Sequence, residues 1–353
     1  MLVVSGQVDG QAPRPGARFH GDQDAEPGLI DFAVNVRGAR PPSWLLERLA
    51  RRLGDLAHYP SAADTTAAVA AVAHRHGVDE DQVLLLAGGS EGFSLLPALR
   101  PRSPVLLAPS FTEPEAVFAA SGTPVRHAVL APPFRLDRAV IPDAVMPDDT
   151  DLVVLGNPTN PTGVLHPRDS VLALRRPGRL LVVDEAFADA VPGESESLAG
   201  SGLPDVLVLR SLTKTWALAG LRVGYAIGAP DVLNRLAARR PHWPLGTLQL
   251  EAVTACCTPD AVASAHAEAQ RLAVMRAQMS AALALLGLDV VDGQAPFVLF
   301  AVPDPPLIRK RLRAKGVAVR RCDTFVGLPD GYLRAAVRPE WPLLVEALRE
   351  VLV

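Results

Sequence analysis

Val206-Leu207-Val208-Leu209-Arg210-Ser211-Leu212-Thr213-Lys214 is the stretch on which the fold turns. Four consecutive branched apolar residues suit a strand covered on both faces, and the polar run after them marks its carboxyl end. Outward from it the pattern repeats at 83–87, 105–108, 152–156, 180–184 and 223–227, each a short apolar run closed by a turn residue or a polar group. Helical spacing fills the intervals between these runs and also occupies 44–56 and 62–76. The alternation predicts an α/β fold in which buried parallel strands form one sheet with helices on both faces.

Beyond about residue 260 the pattern changes. It predicts a long helix over 261–286, a strand over 297–302, a helix over 306–315, strands over 317–320 and 332–337, and a C-terminal helix. Residues 1–28, rich in Gly, Pro and Gln, read as an irregular arm. The expected organisation is an N-terminal arm over 1–40 that packs with the smaller domain, a large domain over 41–258 with a mostly parallel central sheet, and a small α+β domain over 259–353.

Composition narrows the function classes. With 49% apolar and 21% charged residues, the 353-residue chain can bury a large core. A net charge of −3 without a basic block gives nucleic-acid binding no electrostatic support. No apolar run approaches the roughly 18–20 residues of a membrane span, and Met1-Leu2-Val3-Val4-Ser5-Gly6 lacks the basic and apolar regions of a signal peptide. Cys256, Cys257 and Cys322 form neither a CxxC motif nor an even framework, which fits a reducing cytoplasm. His74 and His76 have no partners at ligand spacing, so no metal site is expected.

Lys214, Lys310 and Lys315 are the lysines among 35 basic residues. The latter two fall in a charged helical stretch and read as solvated. Lys214 lies between the apolar strand and Trp216-Ala217-Leu218-Ala219-Gly220-Leu221. An amine in such a place is costly unless paired, neutral or covalently used, and desolvation favours its nucleophilic form. In an open α/β sheet ligands bind beyond the carboxyl ends of the strands. Those ends carry Gly88-Gly89-Ser90-Glu91-Gly92, Pro109-Ser110-Phe111-Thr112, Asn157-Pro158-Thr159-Asn160-Pro161-Thr162-Gly163, Asp184-Glu185-Ala186-Phe187 and Arg210-Ser211-Leu212-Thr213-Lys214. Together they offer what pyridoxal 5'-phosphate requires. Lys214 is the amine for a Schiff base, and Asp184 the acid for the ring nitrogen. Gly88-Gly89-Ser90 opens a helix whose N–H groups suit a phosphate, with Ser211 and Arg222 closing the cup. Phe111 is placed to stack on the ring.

These blocks resemble the class I and II aminotransferases, a branch of the fold type I pyridoxal-phosphate enzymes. Asn157-Pro158-Thr159-Asn160-Pro161-Thr162-Gly163 is similar to their NP-x-NPTG signature, and Ser211-Leu212-Thr213-Lys214 with Gly220-Leu221-Arg222-Val223-Gly224-Tyr225 to their Schiff-base segment. Within the family the chain looks like the histidinol-phosphate aminotransferase branch, and inside it like the threonine-phosphate decarboxylases of cobalamin synthesis. His20-Gly21-Asp22, Asp31-Phe32-Ala33-Val34-Asn35, Asp184-Glu185-Ala186-Phe187 and Val319-Arg320-Arg321-Cys322-Asp323-Thr324-Phe325 carry that second likeness. The resemblance implies an aminotransferase-like fold. It implies that Asn157 binds the ring hydroxyl, Asp184 the ring nitrogen, and that Gly89, Ser90, Glu91, Ser211 and Arg222 hold the cofactor phosphate. Tyr59 would reach the phosphate of the partner subunit in a homodimer, and Arg334, Arg320, His20 and Asn35 would contact a small phosphorylated substrate.

Two departures bear on the substrate. Arg37 stands in Asn35-Val36-Arg37-Gly38, where the family usually has a small residue or proline, and Phe187 replaces a tyrosine that reaches the ring hydroxyl. The resemblance leads first to decarboxylation of threonine phosphate, with transamination of histidinol phosphate to 2-oxoglutarate as the alternative. A regulator built on such a module would carry an added DNA-binding helix-turn-helix, for which residues 1–20 are too short, and a dehydrogenase would show GxGxxG with an acid about 20 residues on, where this chain has Gly88-Gly89-Ser90-Glu91-Gly92.

Overall fold

The computed structural model describes residues 21–136 and 146–352. Strand β1 (Ile30–Asp31) precedes a seven-stranded sheet built from β2 (Val83–Leu86), β3 (Pro104–Ala108), β4 (Arg126–Val129), β5 (Leu152–Gly156), β6 (Leu180–Asp184), β7 (Val206–Ser211) and β8 (Gly224–Ile227). The order across the sheet is β2-β8-β7-β6-β5-β3-β4. All five residues of β3 and all six of β7 are buried, as the uninterrupted apolar runs required. Helices cover both faces, and two apolar cores form, one on each side of the sheet.

The sheet is mostly parallel, as expected, and the exception is β8, which pairs antiparallel with both β7 and β2. A parallel return needs a crossover of a dozen or more residues, usually through a full helix. Between β7 and β8 the chain has a single four-residue helix, Leu212–Thr215, and so it turns back. Strand β4 was not expected at all. Its sequence, Arg126-His127-Ala128-Val129, has no apolar run because it lies at the sheet edge, half exposed.

The expected helix over 44–56 is broken. An α-helix spans Ser43–Ala50 and a 3-10 turn Leu53–Ala57. Between them Arg52 turns its guanidinium onto Asp55, Asp64 and Glu251 at 2.6–3.1 Å. The helix Ala62–His76 opens on Ser61, whose side chain accepts from Asp64 N, and closes on Gly77 at φ 64°.

The C-terminal part holds a 27-residue helix, Pro259–Leu285, capped by Thr258. It is followed by β9 (Phe297–Ala301), β10 (Val317–Ala318), β11 (Arg320–Arg321) and β12 (Tyr332–Ala336). Strands β11, β12 and β9 form an antiparallel sheet in that order, and β1 pairs parallel with β10. This sheet and the helices Pro305–Ala314 and Trp341–Val351 bury a separate apolar core. In the β11–β12 register Arg320 stands opposite Arg334.

A charged cluster lies under β6 and β7. The Arg210 guanidinium, 2% exposed, contacts Glu185 at 3.0 Å, Glu194 at 2.6 Å, and Asp189. Arg75 joins Asp189 and Glu194 at 2.7 and 2.9 Å. His76 Nε2 meets the buried Tyr225 hydroxyl at 2.9 Å. Burial and the charges of Arg210 and Arg75 push His76 far below the usual histidine range, so it stays neutral. Breaking such a pair would strand buried carboxylates, so the cluster ties β6 and β7 together behind the positions that carry Asp184 and Lys214.

Candidate active site

A cavity of about 540 Å³ opens beyond the carboxyl ends of the central strands. Its wall includes Asn35, Gly89, Ser90, Phe111, Asp184, Ser211, Lys214, Arg222, Arg320 and Arg334, so residues expected from eight separate stretches of sequence meet in one place.

One end of the cavity is built on tight backbone. Gly88 sits at φ 86°, and a Cβ there would lie 2.8 Å from Arg222 Nη2. A glycine is needed both for the left-handed backbone and for the approach of the guanidinium. Arg222, itself at φ 58°, donates from Nη2 to Ser90 Oγ at 2.8 Å and from Nη1 to the Ala219 carbonyl at 3.2 Å. Its own carbonyl accepts from Gln249 Nε2 at 2.6 Å. Gly89 faces Ser211, and the Ser211 and Thr213 hydroxyls are 2.6 Å apart. Hydroxyls, backbone N–H groups at a helix start and one guanidinium make an anion cup. Thr213 belongs to this group although no role was expected for it.

Asp184 closes β6. Its Oδ1 accepts from Ala186 N at 3.0 Å, and its carbonyl accepts from Asn157 N at 2.8 Å. Burial raises its carboxyl to about 6, against the pull of the Ala186 N–H and of the Lys214 charge. Lys214, half buried in the helix that follows β7, receives a hydrogen bond on its carbonyl from Arg37 N at 3.0 Å. Phe111 and Ala186 also line the cavity, and Phe187 packs edge-on against Phe297 with centroids 5.2 Å apart.

The other end carries two arginines, each less than 5% exposed. Arg334 donates to the Ala33 carbonyl at 2.9 Å and to Asn160 Oδ1. With the Asn35 amide turned so that its oxygen faces the guanidinium, that oxygen accepts from both terminal nitrogens at 3.1 and 3.2 Å. Arg334 Nε is buried without a hydrogen-bond partner. Burial pulls this guanidinium down to about 10. Arg320 bonds Thr324 Oγ1 at 3.2 Å, approaches Asp24 at 3.7 Å and lies over the Phe325 ring at 5.4 Å.

These residues fit pyridoxal 5'-phosphate. A carboxylate sunk in the wall and titrating near 6 gains most from a cationic N–H partner, which a pyridinium ring supplies. The cup at Gly88–Ser90 and Arg222 suits a phosphate dianion, and Lys214 lines the same cavity.

Several expected contacts are not found. Glu91 is turned away from the cavity, its carboxylate taken by Ala87 N at 2.6 Å and by Arg240 at 2.8 and 2.9 Å. It supports the turn from below. Asn157 does not line the cavity, and its amide is engaged at both ends by the His166 backbone at 2.8 and 3.1 Å. Arg37 is no cation at the substrate, because its guanidinium pairs with Glu268 at 2.9 Å. Tyr59, expected at the partner subunit's cofactor rather than in this chain's cavity, is 73% exposed and stacked on Trp243 at 4.0 Å. His20 lies outside the described residues. Asn160, quoted in the NP-x-NPTG run without a role, was missed as the partner of Arg334. Its signal was present only as one more polar residue at a strand end.

The family described as aminotransferase class I and II matches residues 27–342. A histidinol-phosphate aminotransferase of Mycobacterium tuberculosis is 61% identical over 339 residues, covering 96% of this chain and 92% of that protein. A threonine-phosphate decarboxylase of Salmonella typhimurium is 31% identical over 337 residues, covering 92% and 91%. The crystal structure of a histidinol-phosphate aminotransferase from Sinorhizobium meliloti, in complex with pyridoxal 5'-phosphate, shares the fold with a TM-score of 0.81 at 22% identity, over 99% of this chain and 98% of that one.

Proposed function

The chain belongs to the class I and II aminotransferases, enzymes that use pyridoxal 5'-phosphate, and we propose that it moves an amino group between a small phosphorylated amine of the histidinol-phosphate kind and a 2-oxo acid such as 2-oxoglutarate. The observation that carries this reading is the 61% identity to the mycobacterial histidinol-phosphate aminotransferase, against 31% to the Salmonella decarboxylase. The first expectation, decarboxylation, therefore gives way to its alternative. The markers that favoured it do not discriminate: Phe187 lines the cavity with an apolar ring packed on Phe297, which selects no reaction, and Arg320 suits either substrate's phosphate.

The cofactor supplies an electron sink for the charge that develops at the substrate's α-carbon. In this reading Asp184, ionised beside a ring N–H, keeps that sink effective. Lys214 Nζ would hold the cofactor and would carry the proton that leaves the α-carbon. Gly89, Ser90, Ser211, Thr213 and Arg222 hold the cofactor phosphate, and Phe111 covers the ring. Asn157, held at both ends of its amide by the His166 backbone, would support the loop behind the cavity wall rather than contact the ring. Arg334 and Arg320, facing each other across β11 and β12, take the anionic group of the amine and, in the second half-reaction, the carboxylates of the oxo acid. Their burial strengthens both contacts.

We also propose a homodimer in the cytoplasm. Leu53, Leu56, Tyr59 and Trp243 form an exposed apolar surface, 49–73% accessible, that a second copy would cover while Tyr59 reaches the partner's cofactor phosphate. The three cysteines are buried free thiols, in keeping with a reducing compartment. Mixing Tyr59→Ala with Lys214→Ala chains should restore one site per hybrid, and a monomer in light scattering would refute the assembly.

The deciding assay incubates the protein and cofactor with histidinol phosphate plus 2-oxoglutarate, and separately with threonine phosphate alone. Glutamate formation in the first is the expected result. Carbon dioxide from the second, with no turnover in the first, would overturn the reading. Borohydride reduction should fix the cofactor on Lys214 and not on Lys310 or Lys315.

A further inference from the structure

The loop from Gly156 to His166 carries two of the residues discussed above, Asn157 and Asn160, and a buried imidazole closes it. His166 is 1% exposed. Its hydrogen bonds leave no freedom in where its proton sits. Leu136 N donates to Nδ1 at 3.1 Å, so Nδ1 is an acceptor and the ring proton is on Nε2. Nε2 then donates to Thr159 Oγ1 at 3.1 Å, and the Thr159 hydroxyl in turn donates to the Gly156 carbonyl at 2.7 Å. Burial, with the nearby Arg135 charge, lowers the imidazole to about 4, which agrees with a neutral ring. The backbone of the same residue clamps the Asn157 amide at both ends.

We propose that His166 is a positioning residue for substrate binding, whose ring, through Thr159, holds Asn160 against Arg334 and so aims the guanidinium at the substrate's anion. The chain of contacts is short. Thr159 immediately precedes Asn160, and Asn160 Oδ1 accepts from Arg334 Nη1. Thr159 is also tied by backbone to Val164 at 2.9 Å and to Gly163 at 2.7 Å, so a shift of its side chain moves the whole turn. Arg334 is otherwise held by Ala33 and Asn35, which come from the N-terminal segment rather than from this loop. The loop therefore supplies one of the three anchors that orient the guanidinium.

The inference rests on Arg334 being the anion site of the proposed reaction, so Arg334→Ala is measured beside it. In His166→Asn the side-chain oxygen replaces Nδ1 as acceptor for Leu136 N, but the contact to Thr159 is lost. Thr159→Val removes the same contact from the other side, together with the bond to the Gly156 carbonyl, and Thr159→Ser keeps both. With histidinol phosphate as the amine, His166→Asn and Thr159→Val are each expected to raise KM about tenfold, the worth of roughly one hydrogen bond. The double variant should be no worse than Thr159→Val alone, since the link that His166→Asn breaks is already broken there. Thr159→Ser should keep the KM of the unaltered protein, and the cofactor dissociation constant, read from its visible band, should change less than about threefold in all of them. A rise in KM for Arg334→Ala with none for Thr159→Val would refute the positioning role alone. No rise in either would refute the anion site and this inference with it. Additive effects in the double variant would also overturn it, because they would mean that His166 and Thr159 act separately. Thr159→Val is close in volume to the original, so the test survives if His166→Asn does not fold.

Discussion

Replacing Asp184 by asparagine should make the cofactor-free protein more stable, not less. The carboxyl is buried at the end of β6 with one backbone N–H on Oδ1, and burial raises it from the usual 3.8 to about 6. In the unfolded chain it ionises near 3.8, so between about 4 and 6 the folded state binds more protons than the unfolded state. The sign follows: stability contributed by this group is greatest below about 4 and is lost as the pH rises through 6. A rise of that size corresponds to about 3 kcal/mol at neutral pH, as an order of magnitude. Asparagine keeps an oxygen for Ala186 N and has no charge to desolvate. Denaturant unfolding of the cofactor-free protein at pH 7.5 should therefore show the variant more stable by up to about 3 kcal/mol, with the gap closing toward pH 4. Saturating cofactor should reverse the order, because the amide cannot neutralise a pyridinium ring, and turnover should fall by orders of magnitude. Equal stabilities at pH 7.5, or a gap that does not close with acid, would show that Asp184 is not a desolvated carboxylate waiting for a cation.

Gly88→Ala puts a Cβ 2.8 Å from Arg222 Nη2 on left-handed backbone, so fluorescence titration should show cofactor affinity weaker by about 10- to 100-fold. Arg334→Ala should raise KM for the anionic substrate by about 30- to 150-fold, about 2–3 kcal/mol, and leave the visible spectrum of the bound cofactor unchanged. Loss of the spectrum would mean that Arg334 serves the cofactor. Arg210→Met should cost about 3–5 kcal/mol in denaturant unfolding, because it leaves Glu185 without its cation and takes one guanidinium from Asp189 and Glu194, which keep Arg75. A cost below about 1 kcal/mol would mean that the cluster is hydrated.

Much of the site was legible because a doubly covered sheet gathers its polar groups at one edge. Apolar runs that end in Asp184, in Ser211 and in the glycines at 88 and 89 named their own positions once the strands were seen to run together. Errors arose where direction or partner choice depended on something outside the local stretch. Glu91 sits in a glycine-rich turn and looks like a ligand, yet Arg240, 149 residues away, takes its carboxylate. Arg37 looks like a new cation beside Asn35, yet Glu268 on the long helix draws it off. Both charges are satisfied across large sequence separations, and nothing in the neighbouring residues records that.

What the sequence by itself determined is the set of elements and the edge on which the chemistry lies. Runs of branched apolar residues have no stable place except between two layers of helix, and the polar residue that stops each run must then lie at its mouth. The lysine after Thr213 is locally encoded in the same way, by apolar stretches on either side. What only the tertiary structure decided is the direction of β8, the pairing of Arg320 with Arg334 across β11 and β12, and the assignment of each buried charge to its partner. A strand's burial is a property of its own residues. Its direction depends on the length and shape of the connection, and the partner of a charge depends on which distant elements fold against it. Coulombic attraction selects the partner by distance in space, which the order of residues does not state.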